Sequence, residues 1–260
     1  MKVIIVTDLE GLSLGDTIQI IDESTEDYQK ARVQLMKDTN AAIDGAFAGG
    51  AKEVFVVDGH CSGKNFIPGQ LDPRAQQILT SDFVDMSWEN FDALLAIGYH
   101  AKAGTEKAFL DHTQSSASWF DYCVGGKSYG EIGQLAITGG AFGVPFVMIS
   151  GDAAACEEAK GLVDNIAVAV VKEANERNRA ICLPEEEALK RIFEAAADGV
   201  RRYKEIKPYS VELPTKASVT LFRTDYCDQV VAHNKSLTRS GRTLTKNLDK
   251  IMCFRDVLPF

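Results

Sequence analysis

Residues 2–11 read Lys2-Val3-Ile4-Ile5-Val6-Thr7-Asp8-Leu9-Glu10-Gly11, an apolar run that leads into two acids. Consecutive β-branched residues of this kind are typical of a strand buried on both faces, inside a parallel sheet. Because side chains alternate along a strand, Asp8 and Glu10 are predicted to point the same way, with Leu9 toward the core. Ligands of open parallel sheets bind at the carboxyl ends of the strands, so a metal site is predicted here. The alternative is a solvated turn that begins at these acids.

Two further apolar runs end in a histidine. Residues 54–57 lead into Asp58-Gly59-His60, and residues 93–97 lead into Gly98-Tyr99-His100. A helical pattern lies between the first two runs, and the right-handed crossover of such a βαβ unit makes its strands parallel. His60 and His100 are therefore predicted to lie at the same sheet edge as the acidic pair. One histidine alone is more often structural, but two of only four at equivalent strand ends favour a ligand role.

Two more candidates follow the third strand. His112 lies in the segment after His100, and Glu131 stands between glycines at the start of a helix predicted over residues 132–142. An acid in the first turn also suits the positive end of the helix dipole, and a loop histidine also suits a bond to the backbone. Both alternatives stay open at this point.

Residues 11–15 match the Gly-x-Ser-x-Gly pattern of a serine-hydrolase nucleophile elbow, with Ser13 as the nucleophile. An elbow must run directly into a helix. Residues 15–22 are instead rich in β-branched side chains and show no helical start. A serine hydrolase is therefore only a minor alternative.

The rest of the chain is predicted to complete an α/β fold, with a largely parallel central sheet, flanking helices and a smaller C-terminal α+β domain. The boundary is expected between residues 183 and 184, which gives a metal-binding catalytic domain over residues 1–183 and a smaller domain over residues 184–260. The predicted elements include a helix from Ser24 or Thr25 to Gly49, a possible short strand at residues 77–80, a hairpin turning at Gly125-Gly126, core strands at residues 145–150 and 166–171, a long amphipathic helix from Pro184 to about residue 206, a strand at residues 218–222, and a closing helix over residues 248–257.

Composition excludes several classes of protein. The chain has 260 residues, 45% of them hydrophobic, and a net charge of −9 without a basic stripe, which argues against a nucleic-acid partner. Its apolar runs are too short for a signal peptide or a membrane helix, so no membrane partner is expected. Six cysteines form no Cys-x-x-Cys pair, as is common in reducing compartments. A cytoplasmic protein is expected.

The candidate ligands are three carboxylates and two imidazoles, without a thiolate: Asp8, Glu10, His60, His100 and Glu131. This donor set suits a pair of divalent ions such as Zn²⁺, with one carboxylate bridging. Two such ions activate a shared water and clamp the oxygens of a tetrahedral intermediate. The predicted chemistry is hydrolysis.

The same residues resemble peptidase family M55, the D-aminopeptidases of the dipeptide-transport type. The matching stretches, in the family's order, are Asp8-Leu9-Glu10-Gly11, Asp58-Gly59-His60, Gly98-Tyr99-His100, His112-Thr113, Gly130-Glu131-Ile132-Gly133 and residues 145–152. Each stretch alone is weak evidence for the family, but their combination over residues 1 to about 155 is specific to it.

The resemblance implies a role for each residue. Asp8 corresponds to the bridging ligand of two zinc ions, with Glu10 and His60 on one ion, His100 and Glu131 on the other, and His112 as the catalytic histidine. It also implies a metallo-aminopeptidase that removes N-terminal residues, D-residues in the type member, from short peptides. A homo-oligomer is implied as well, a decamer of two stacked pentameric rings that enclose the active sites.

This sequence departs from the family pattern in places. Val6 stands where the family often has a small residue such as Ser, and the loop from His100 to His112 is one residue longer. From Pro184 onward the resemblance is faint, which leaves substrate choice and D-selectivity open. A non-catalytic, metal-dependent sensor or binding protein on the same scaffold is the alternative from another class, since fold does not fix function.

Overall fold

Twelve strands and seven α-helices make up the computed structural model, which describes residues 1–260. The strands are β1 (Lys2–Thr7), β2 (Glu53–Asp58), β3 (Ala75–Ile78), β4 (Ala93–Tyr99), β5 (Trp119–Val124), β6 (Lys127–Ser128), β7 (Phe146–Asp152), β8 (Ala167–Glu176), β9 (Arg179–Cys182), β10 (Thr215–Leu221), β11 (Thr238–Ser240) and β12 (Thr243–Leu248). The helices are α1 (Glu26–Ala48), α2 (Thr80–Phe83), α3 (Glu131–Ala141), α4 (Ala153–Lys160), α5 (Glu185–Arg201), α6 (Thr224–His233) and α7 (Phe254–Val257), with 3-10 turns at Ile18–Ile21 and Tyr203–Glu205.

The larger sheet has seven strands in the order β3-β2-β1-β4-β7-β8-β9. All neighbouring pairs are parallel except β8 and β9, which form an antiparallel edge hairpin. Thr7 at the end of β1 pairs with Asp58 of β2 on one side and Ile97 of β4 on the other. The predicted α/β class and parallel central sheet are confirmed, and three strand ends meet at one edge.

The central strand is buried on both faces, as its uninterrupted apolar run predicts. Residues 3–6 of β1 are at most 1% exposed and belong to the main hydrophobic core. Helices α1 and α5 pack on each other beside this sheet. Gly45 of α1 lies so close to α5 that a Cβ atom there would be 2.4 Å from the Phe193 carbonyl oxygen. A glycine is therefore required for this helix contact.

Helix α1 begins and ends where its sequence signals predict. The Thr25 side chain accepts a hydrogen bond from the Tyr28 backbone N–H, and Gly49 follows the last helical residue. Helix α3 begins at Glu131, one residue before its predicted start. Helix α5 begins at Glu185, directly after Pro184, but ends at Arg201 and not near residue 206 as predicted. The strand expected near residues 77–80 lies slightly earlier, as β3.

The smaller sheet is antiparallel, with the order β11-β12-β10-β5-β6. Gly125 and Gly126 both have positive φ, 60° and 84°, in the tight turn that joins β5 to β6. This hairpin joins the C-terminal strands because β5 pairs with β10, whereas α5 packs on α1 and on β7 and β8 of the larger sheet. The predicted domain boundary between residues 183 and 184 stays a prediction.

The closing helix predicted over residues 248–257 is wrong in its first half. Leu248 ends β12, which pairs with β10 from Thr215 to Thr220, and only Phe254–Val257 is helical. Residues 249–253 form a loop before that short helix. Strand β12 itself was not predicted, although apolar and polar residues alternate at its start. Strand β8 runs on to Glu176 because its polar end pairs with β9. No helix is long and apolar enough to cross a membrane.

Candidate metal centre

Five side chains meet at the carboxyl edge of the larger sheet. His60 Nδ1 lies 3.1 Å from Asp8 Oδ1 and 3.2 Å from Glu10 Oε2. His100 Nε2 lies 3.3 Å from Asp8 Oδ2 and 3.4 Å from Glu131 Oε1. Asp8, Glu10 and His100 are at most 5% exposed. The structure therefore brings together all five side chains that the sequence predicts as ligands.

The backbone after β1 is hydrogen-bonded to the end of β4, and this contact orients the side chains of Asp8 and Glu10. The Asp8 N–H donates to the Ile97 carbonyl oxygen at 2.8 Å, and the Gly11 N–H donates to Gly98 at 2.7 Å. A Cβ atom at Gly11 would lie 2.0 Å from the Tyr99 carbonyl oxygen. The two chain segments can approach this closely only because position 11 lacks a side chain.

His112 reaches the same cluster from the loop between β4 and β5. Its Nδ1–H donates to the Leu110 carbonyl oxygen at 2.8 Å, and its ring stacks on His100 with centroids 3.9 Å apart. Its Nε2 then faces the carboxylates, 3.7 Å from Glu131 and 3.9 Å from Glu10. Leu110 adopts a left-handed φ of 51°, a strained conformation for a leucine. The loop thus holds His112 over the acids at a cost in backbone strain.

The electrostatics of the cluster strongly favour positive charge beside its carboxylates. Burial alone lowers the pKa of an imidazole and raises that of a carboxyl. Against burial, Glu10 and Asp8 hold the pKa of His60 well above its usual value, and Glu131 with Asp8 does the same for His100. Burial is likewise outweighed at Glu10 by His60, and at Glu131 by His100, so both carboxyls have lowered pKa values. Protons or a cation must supply this charge.

The side chains fit a divalent cation. Asp8 Oδ2, Glu10 Oε2 and His100 Nε2 are buried and make no well-aligned hydrogen bond, although a histidine nitrogen lies 3.2–3.3 Å from each of the two oxygens. Such buried atoms are costly unless a ligand satisfies them. His100 Nδ1 donates to the Ala101 carbonyl oxygen at 2.9 Å, which leaves Nε2 free to coordinate. Two groups of side chains could each hold an ion, because the ligand atoms within each group lie within 4.8 Å of one another. The first group is Asp8, Glu10 and His100, and the second is His100, His112 and Glu131. His60 lies outside both groups, although it contacts both acids of β1.

Lys172 supports the site and was missed by the sequence analysis. This β8 lysine is 1% exposed, and its ammonium group donates to the carbonyl oxygens of Glu10 and Gly15, each at 2.7 Å. Burial lowers its pKa to about 8, so it still carries its proton at neutral pH. A lysine within the Val-Ala run of β8 was the available signal. The ammonium group ties the loop that carries Glu10 to the sheet.

Ser13 has no catalytic partner. Its hydroxyl is fully buried, donates to Asp38 at 2.7 Å and accepts from Gln34 at 2.7 Å, with no histidine in the network. The serine-hydrolase alternative is therefore wrong. His233 is exposed at the end of α6, where its Nδ1 contacts the Gln229 carbonyl oxygen at 3.0 Å.

A parallel sheet with buried carboxylates and imidazoles at its carboxyl edge defines an α/β protein of the metal-dependent hydrolase class. The family model of Peptidase_M55, described as D-aminopeptidase, matches residues 1–258, and the chain belongs to this family. The predicted family and the predicted aminopeptidase class of enzyme are confirmed. The individual ligand and catalytic roles stay predictions.

A sequence and a solved structure, both from Bacillus subtilis, are similar to this chain. A D-aminopeptidase of strain 168 is 29% identical over 213 residues, which cover 80% of this chain and 77% of that protein. The solved structure of the Zn-dependent D-aminopeptidase DppA, described as a self-compartmentalizing protease, superposes with a TM-score of 0.92 at 23% identity. That superposition covers 99% of this chain and 95% of DppA, so the two proteins share the whole fold.

Replacing Lys172 by methionine should lower the free energy of unfolding by about 2 kcal/mol, because two charge-assisted hydrogen bonds to the loop are lost. Urea unfolding in the presence of a chelator measures this without a contribution from bound metal. Lys160→Met is the control, since the exposed pair of Lys160 with Glu157 should contribute less than about 0.5 kcal/mol. Equal stability of Lys172→Met and the wild type would show that the hydrogen bonds of Lys172 to this loop do not stabilise the fold.

Proposed function

We propose that this protein is a zinc-dependent aminopeptidase that holds two Zn²⁺ ions per subunit and removes N-terminal D-amino acids from short peptides. The position of Asp8 carries this proposal. Its two carboxylate oxygens face different histidines, Oδ1 toward His60 and Oδ2 toward His100. A carboxylate between two separate groups of donors is suited to bridge two ions. The D-residue preference rests on the similarity to the D-aminopeptidase of Bacillus subtilis.

In the proposed arrangement the two ions share Asp8. Glu10 would act with His60, whose Nδ1 lies 3.2 Å from it, and Glu131 would act with His100, whose Nε2 lies 3.4 Å from it. When bound, the ions would polarise the scissile carbonyl and lower the pKa of a water molecule. The chain's own groups fix the ligands, since the Gln114 backbone N–H donates to Glu131 Oε1 at 2.7 Å. The left-handed φ of Gln114, 58°, sets the direction of that N–H.

His112 is proposed to carry the proton between the attacking water and the leaving amine. Its Nδ1–H bond to Leu110 fixes the tautomer, so Nε2 is free to accept a proton and later donate it. The neighbouring carboxylates of Glu10 and Glu131 would stabilise the resulting imidazolium. The same position also allows His112 to be a metal ligand with His100 and Glu131, and the two roles are separable by experiment.

The function is tested by incubating the purified protein with matched dipeptides that differ only in a D- or L-residue at the amino terminus. Release of the first residue should stop with a chelator and return with Zn²⁺, with the D-form preferred. A protein that binds zinc and hydrolyses none of these peptides would instead support the sensor alternative.

His100→Ala and Glu131→Gln should each reduce bound zinc from two ions per subunit toward one, because both remove a proposed ligand of the same ion. Metal analysis after dialysis measures the stoichiometry. His233→Ala, an exposed histidine outside the cluster, is the control and should keep both ions. Two ions retained by both ligand variants would refute the assignment.

His112→Ala should lower kcat by ~10²–10⁴, the usual contribution of a general acid or base, with little change in KM. Its zinc content and its thermal unfolding should match those of the wild type. Steady-state kinetics and metal analysis on the same preparation provide the measurement. Loss of zinc would make His112 a ligand, and normal turnover would leave it structural.

The protein is also proposed to form a closed homo-oligomer, a decamer, in the cytoplasm. The self-compartmentalizing description of DppA supports the assembly, and the six free cysteines are compatible with a reducing compartment. Analytical ultracentrifugation at micromolar concentration should give a mass far above the 28.4 kDa of one chain. A monomer in that measurement would contradict the assembly.

A further inference from the structure

Two cavities meet at His112. The first, of about 460 Å³, is lined by Asp8, Glu10, His60, His112 and Glu131 of the metal centre. The second, of about 580 Å³, opens on the other side of His112, and Ser116 also lines both. Each volume lies in the range of small-ligand sites. A molecule that occupies both cavities must pass beside the His112 ring.

The first cavity has an apolar wall that no metal ligand explains. It consists of Phe83 and Val84, at the end of α2, together with Phe254 and Leu258 from the C-terminal segment. The Phe83 and Phe254 rings pack with their centroids 5.3 Å apart. We call these four residues the apolar wall.

The apolar wall is fixed before any ligand binds. The Arg255 backbone N–H donates to the Val84 carbonyl oxygen at 2.9 Å, and the Arg255 guanidinium group pairs with Asp85. The Tyr122 hydroxyl donates to the Val257 carbonyl oxygen at 2.6 Å. These bonds hold the C-terminal segment beside α2, so the wall has a defined shape and is suited to select side chains.

The second cavity is aromatic, and its acids are already engaged. Trp119, Phe120 and Phe222 line it, and the last two rings pack edge to face at 5.6 Å. Asp111 pairs with Arg177 at 3.1 Å, and Asp121 accepts a hydrogen bond from the Ser128 hydroxyl at 2.6 Å. Phe120 and Phe222 are 53% and 42% exposed, although large apolar side chains are usually buried.

The distribution of charge sets the direction in which a peptide can lie. A free α-amino group is attracted by carboxylates or binds a metal ion, and the unpartnered oxygens of Asp8 and Glu10 are in the first cavity. The first residue must therefore lie there, with the apolar wall available to its side chain. The peptide bond after that residue then lies near His112, and the remainder points toward the aromatic cavity.

We propose that the apolar wall is the subsite for the side chain of the amino-terminal residue, and that the aromatic cavity binds the residue after the cleaved bond. The preferred substrates are then short peptides with an aliphatic first residue and an aromatic or aliphatic second residue. This inference rests on the proposed aminopeptidase function, and it adds a direction of binding and two specificity-determining surfaces.

A crossed set of variants and substrates tests the proposal. The substrates are Ala-Ala, Leu-Ala and Ala-Phe, in the configuration that the wild type hydrolyses. The variants are Leu258→Ala for the apolar wall and Phe222→Ala for the aromatic cavity. Ile181→Ala, at an exposed position of β9 outside both cavities, is the control. The kcat/KM ratios between substrates are compared within each variant, so that a change in the amount of folded enzyme cancels.

Leu258→Ala should lower the preference for Leu-Ala over Ala-Ala about 10-fold. It should change the preference for Ala-Phe over Ala-Ala less than about twofold, because lost apolar contacts affect only the substrate residue that made them. Phe222→Ala should show the reverse pattern, and the control should change neither ratio. Val84→Ala and Phe120→Ala repeat the test at a second residue of each surface, with the same expected signs.

The direction of binding would be overturned if the wall variants changed only the preference at the second residue and the cavity variants only that at the first. Unchanged kcat/KM ratios in all four variants would overturn both subsites. A wild type that hydrolyses none of the three peptides in either configuration would refute the proposed function itself, and the subsites with it. Hydrolysis by the wild type with unaltered ratios in the variants refutes only the subsites. The two failures are thus distinct.

Discussion

Attraction between buried carboxylates and imidazoles at the end of β1 is the interaction on which the site depends. Asp8 and Glu10 are nearly inaccessible to water, and two like charges this close repel unless positive charge lies between them. His60 and His100 supply it when protonated, and the raised pKa values of both imidazoles reflect this. A metal ion would take over that task, which explains why ligand atoms remain without hydrogen-bond partners in a folded, well-packed interior.

The fold stabilises this cluster through backbone contacts and through one buried amine. Parallel register places the ends of β1, β2 and β4 side by side, and close approach at Gly11 fixes the acidic turn against β4. Lys172 binds two carbonyl oxygens of the same turn from β8. The strained loop at Leu110 then brings His112 over the acids. Rigid support of this kind holds the polar groups of the site in position before a ligand arrives.

The apolar wall is built from segments that lie outside the metal-centre motifs. Those motif stretches lie within the first 155 residues, although the family model matches residues 1–258. The apolar wall combines α2 with a C-terminal segment that lies about 170 residues further along the chain and is joined to it by the Arg255–Asp85 pair. The apolar wall contributes none of the proposed ligands, so substitutions in it leave the candidate ligand set intact.

The parallel sheet, the first helix and the edge at which Asp8, Glu10, His60 and His100 meet could all be predicted from the sequence, because buried runs, helix caps and crossover handedness are local or topological rules. The tertiary structure was needed for the position of His112 over His100, for the buried contacts of Lys172 and for the loop over residues 249–253 that takes up much of the predicted closing helix. It also brought Phe254 and Leu258 to the site. These features arise from contacts between segments far apart in the chain, and local periodicity carries no information about such contacts.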